Sequence, residues 1–157
     1  MLFRHKQYTQ IYIVYAKTSF NEYSFTKVND NKRVSVYYTL PAKATPSSDI
    51  PAILHFIEDT LDKDENQQWE WIIDATGFTL EHAMELHTAK ALCYLFDTKY
   101  KLQLMQITII HPTWHIHTLF YLLWPLMTTF IRSIITIQSD YADDNIIETI
   151  ITQYSDE

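Results

Sequence analysis

From Val34 onward, β-rich runs alternate with segments of helical period, and this alternation restricts the chain more than any other feature. The β-rich runs cover residues 34–40, 69–75, 104–110 and 134–138; a helix-period segment follows each, the last over 142–154. Such an order predicts an α/β domain with a largely parallel sheet and right-handed crossovers. Two earlier β-rich runs, 10–15 and 24–28, precede the alternation, and NDNK at 29–32 reads as a hairpin connection because Asn and Asp tolerate left-handed backbone.

The helical segments differ in character. In DIPAILHFIEDTLD the residues Ile53, Leu54, Ile57 and Leu61 form one apolar stripe, Ser48 or Asp49 supplies a cap, and Pro51 suits a first turn. Residues 80–100 place Met84, Thr88, Ala91, Leu92, Leu95 and Phe96 on one side, with Thr79 as cap and Glu81 and Glu85 near the positive helix end. The third segment starts near Thr113 and contains fourteen consecutive uncharged residues, 118–131. That run falls short of the ~20 residues needed to cross a bilayer. Pro125 has no amide donor and disfavours helix in the residue before it, so a break is expected near Trp124.

Composition narrows the function classes. A chain of 157 residues, 47% hydrophobic and 20% charged, fits one globular domain spanning 1–157. Its one glycine, Gly77, rules out the glycine-rich phosphate loop and the dinucleotide fingerprint. Cys93 stands alone, which excludes a disulfide framework and a cysteine-based zinc cluster and suits a reducing, cytoplasmic setting. Basic residues precede an apolar patch at the N-terminus, but Tyr8, Thr9 and Gln10 dilute it and no cleavage site follows, so no signal peptide is expected. Residues 1–48 carry seven Lys/Arg against Glu22 and Asp30, whereas 49–157 carry five against seventeen acids. An acidic body argues against nucleic acid as a partner. The basic N-terminal segment either touches an anionic membrane or acidic partner, or, more simply, solubilises strand ends.

Ligands of open α/β sheets gather beyond the carboxyl ends of the strands. Here those ends carry Asp74, Thr76 and Gly77, then His111, Pro112 and Thr113. An Asp and a His there suggest acid/base chemistry, but no nucleophile elbow is present and nothing marks Cys93 as activated. The simpler reading has Asp74 accepting loop amides and His111 satisfying its own strand-end carbonyls. His82, His87, His111, His115 and His117 match no zinc spacing, since His115 and His117 diverge on a helix. Arg132 follows the uncharged run and serves either as an anion anchor or as a snorkelling side chain that returns the segment to solvent.

The run KYKLQLMQITIIHPTWHIHTLFYLLWPLMTTFIRSIITI, with FDTKYK, WEWIIDATGF and VNDNKRVSVYYTLPA upstream, resembles the core of divergent CRAL-TRIO domains, especially their BCH branch, over about residues 25–140. The resemblance implies a three-layer α/β/α sandwich with a hydrophobic cleft over the sheet, under a gate near residues 124–131. On this basis the cleft is expected to be lined from Trp114, Leu119, Phe120, Leu123, Trp124, Leu126, Met127, Phe130 and Ile131, with Arg132 and His111 as anion or headgroup candidates. It implies a non-enzymatic module without cofactor or metal that holds a phospholipid or other hydrophobic ligand, with transient contact to membranes. The BCH branch implies an alternative, a scaffold that binds Rho-family small GTPases or their regulators and self-associates. One departure is clear: Trp124 stands where the BCH pattern has a basic residue before the proline.

Overall fold

The β-branched and aromatic run VSVYYT forms the strand on which the sheet is built. A computed structural model describes residues 23–29, 33–44 and 49–138. Five strands lie in strictly sequential order: β1 (Thr26–Lys27), β2 (Val34–Thr39), β3 (Gln68–Asp74), β4 (Leu104–Ile110) and β5 (Ile135–Ile137). β1 pairs antiparallel with β2, as the hairpin reading requires, and every later pair is parallel. β1 is shorter than its β-rich run, and at its N-terminal side Ser24 takes a φ of 52°, outside the extended region. The expected strand at 10–15 and helix at 142–154 lie outside the described residues.

Three crossovers carry the helices. α1 (Ile50–Asp62) is capped by Asp49, whose Oδ1 accepts the Ala52 amide at 3.0 Å. The segment expected as one helix over 80–100 is two: α2 (Leu80–Ala83) and α3 (Leu86–Thr98). His82 turns its Nδ1 back to accept the Thr79 amide at 3.0 Å, closing a single capped turn. Glu85 then starts a new helix in a new phase. The stripe therefore resets: Leu86, Ala89, Leu92, Leu95 and Phe96 join the core, whereas Met84 is 66% exposed. α4 (Trp114–Leu123) ends in a 3-10 turn at Trp124–Leu126, where Pro125 was expected to break it, and α5 (Thr129–Ile134) resumes behind a Thr128 cap.

Sequential order has a geometric consequence. Each parallel crossover advances in one direction, so right-handed connections place all the helices on the same face. The register aligns Tyr37, Trp71, Ile107 and Ile135 across that face. Against it pack Ile57 and Leu61 of α1, Leu95 and Phe96 of α3, Ile116, Leu119 and Leu123 of α4, and Ile131 of α5. Aromatic rings form its centre: Phe25 stacks on Tyr37 at 4.5 Å, and Phe96 meets Trp69 and Trp71 edge-on at 5.3 Å each. The opposite face is buried too, around Val36, Tyr38, Ile72 and Ile110. Among the described residues no helix packs on that face, so the expected three-layer sandwich is seen there as two layers, sheet and helices.

Candidate functional site

The helix-side core is not filled. A cavity of about 270 Å³ lies between the sheet and the helices. Trp71, Ile73, Ile107 and Ile135 line it from the sheet, Ile53 and Ile57 from α1, and Leu92, Cys93 and Phe96 from α3. Ile116, Leu119, Phe120 and Leu123 of α4 continue the wall, with Met127 and Ile131 beyond the kink. Most of this wall is aliphatic or aromatic. The Trp71 indole N–H donates to Thr39 Oγ1 at 2.8 Å. Burial, and then the nearby Asp97 carboxylate, push the Cys93 thiol up to about 11, so it stays protonated at neutral pH. The exposed lining residues Glu81 and Glu85 mark the mouth, together with His82.

Of the residues expected to line the cleft, Leu119, Phe120, Leu123, Met127 and Ile131 do so. Trp114, Trp124, Leu126 and Phe130 do not. The reason is helical: an all-apolar segment still has two faces, and Trp114, Trp124 and Leu126 stand on the outer one at 66%, 48% and 55% exposure. Phe130 lies under the Lys101 ammonium, 5.3 Å from its ring centroid.

Arg132 is also outside the cavity, and neither sequence reading anticipated its contacts. Its Nε and Nη2 donate to the Trp124 carbonyl at 3.0 and 2.6 Å, and its guanidinium stacks 5.2 Å from the Trp124 ring centroid. It ties α5 to the carbonyl exposed at the Pro125 break.

His111 faces a different group from the strand-end carbonyls expected for it. At a φ of 48° its Nδ1 sits 3.1 Å from Asp74 Oδ1. Asp74 also accepts from the Tyr38 hydroxyl at 2.6 Å, and from the Thr76 amide and hydroxyl at 2.9 and 2.6 Å. Burial alone would raise this carboxyl, but the bonds from Thr76, Tyr38 and His111 outweigh it and hold it below the usual carboxylate range. Tyr38 and Ile72 place this cluster on the sheet face away from the cavity. The loop after it requires Gly77, whose φ is 73° and where a Cβ would come within 3.1 Å of the Ala42 Cβ.

Comparison with known families decides what this architecture is. The family model of the CRAL/TRIO domain matches residues 20–155. The chain belongs to the CRAL/TRIO domain family. No curated protein matches the chain. CRAL/TRIO domains are lipid-binding and lipid-transfer modules, generally without enzymatic activity, and the cavity of this CRAL/TRIO domain lies between its helices and its sheet. No described helix is long and apolar enough to cross a membrane.

Sequence reasoning missed the sheet and α1/α3 contributions to the cavity. A signal existed. Residues 71 and 73 share one face of β3 by strand alternation, and the stripes of α1 and α3 must point at something apolar.

Proposed function

We propose that this CRAL/TRIO domain is a non-enzymatic carrier that holds one hydrophobic ligand in the cavity, with the kinked segment 124–131 as its gate. The observation that carries the reading is the unfilled apolar space at the centre of the helix-side core. Protein interiors normally close such space. At about 0.8 kcal/mol per buried methylene, even a short chain gains several kcal/mol, against which the cost of immobilisation is set. Loading from a membrane surface is supported by the outer face of α4 and the turn after it. Trp114, Tyr121, Leu122, Trp124 and Leu126 are exposed there, and residues 102–139 contain no Asp or Glu. Trp and Tyr are the side chains that favour the membrane–water interface.

Native mass spectrometry and solvent extraction of the purified protein test this reading. A co-purifying hydrophobic molecule and transfer between vesicles are the expected results. Absence of both would overturn it.

The same exposed aromatic face supports a second reading, a BCH-like scaffold for a Rho-family GTPase, one of its regulators, or a second copy of the chain. Pull-downs with nucleotide-loaded GTPases and light scattering test it. A monomer that captures no GTPase would remove this reading.

A further inference from the structure

The cavity also restricts which hydrophobic molecule it accepts. We infer that its occupant is a compact or single-chain molecule whose polar end donates hydrogen bonds and carries no negative charge, a hydroxyl or an amine. This rests on the cavity being the ligand site proposed above.

Size gives the first restriction. A cavity of about 150 Å³ accommodates benzene, and a liquid water occupies about 30 Å³. At about 270 Å³ this cavity is less than twice the former, which suits one short chain or a small ring system.

Charge gives the second. Among the described residues no Lys or Arg lines the cavity, and its mouth carries two carboxylates, Glu81 and Glu85. Neither forms an ion pair among the described residues; the contact of Glu85 is the Thr88 hydroxyl, which donates to its Oε2 at 3.5 Å. The nearest cations in sequence, Lys43 and Lys90, are exposed and outside the lining. The third ionisable group of the mouth, His82, has its Nδ1 occupied by the Thr79 amide, so the neutral ring carries its proton on Nε2. A hydroxyl meets acceptors and a donor there, and an ammonium meets two acceptors of opposite charge. A carboxylate or phosphate end would be placed against two like charges at the edge of an apolar wall. Arg132, the cation that would have reversed this balance, is bonded to Trp124 instead.

Titration calorimetry of the delipidated full chain at neutral pH, with 1-decanol, decylamine and decanoate as probes, tests the inference. The alcohol and the amine are expected to bind at least about tenfold tighter than the acid. In the Glu81→Gln/Glu85→Gln double variant that gap is expected to close, mainly through tighter decanoate and weaker decylamine. Both positions are exposed, and an unchanged melting temperature would establish that the variant folds. Decanoate binding as tightly as decanol, or a gap that persists in the double variant, overturns the ligand class while leaving the cavity as a binding site. If none of the three binds to folded protein, the cavity reading falls, and the inference with it.

Discussion

Cys93 reports directly on the cavity, because it lines the wall and is the one thiol in the chain. With its thiol raised to about 11, alkylation by iodoacetamide is expected to stay slow in the folded protein through pH 9. In urea the rate should follow an ordinary thiol, near 8.5. A bound ligand should slow the folded rate further; a folded rate equal to the unfolded one would place Cys93 outside the cavity. Asp64 and Asp74 contribute to the acid limit. Burial would raise the Asp64 carboxyl, but bonds from Ser35, Tyr37, the Asn66 amide and Lys27 lower it, and Asp74 is lowered in the same way. A depressed folded value gives stability that is complete above the unfolded value of ~3.9 and is lost as pH falls through the folded one. Urea midpoints should therefore drop as pH falls below about 4, and the drop should shrink in Asp64→Asn and Asp74→Asn. An equal acid drop in both variants would assign the loss to other groups. Part of this was legible: Asp74 was expected to accept loop amides, as the Thr76 amide shows, but its pairing with His111 depends on the left-handed backbone at His111.

Elements were read unevenly, and the reason is local chemistry. The break at Pro125 could be foreseen because proline removes a donor, whereas nothing but ordinary helix formers surrounds the break at Met84 and Glu85. That second break depends on His82 folding back to Thr79 and on how α3 packs, which no period of apolar residues encodes. Strand positions were legible because β-branched residues cluster there; β4 coincides with its expected span at both ends. The Pro125 break is held by Arg132. Arg132→Ala is expected to lower stability by about 1 kcal/mol and to speed ligand exchange, since two charge-assisted bonds at a partly exposed site are lost. Lysine should restore little, lacking the planar fork. Stopped-flow release from the variant measures the exchange, and an unchanged rate would detach Arg132 from the gate.

At the scale of the whole molecule, the α/β class and parallel sheet follow from the alternation of segments, but the cavity does not. Its wall joins Ile53 to Ile135 through three crossovers, and only the sequential strand order brings those residues to one face. Of the nine lining residues predicted from the apolar run five line the cavity, because hydropathy cannot say which side of a helix meets the sheet. What remained outside, Trp114 with Trp124 and Leu126, forms the exposed face. Flotation with anionic vesicles is expected to fall in Trp114→Ala/Trp124→Ala while ligand binding in solution persists; equal flotation would remove the membrane role of this face.

The central claim is that the cavity holds a hydrophobic molecule. Ala89 lines it from α3, so Ala89→Phe would place a ring in the empty space. Native mass spectrometry of both proteins should show a bound hydrophobic mass on the original chain and none on Ala89→Phe, whose melting temperature should hold. A bound mass of equal abundance on both, or on neither, would contradict the account.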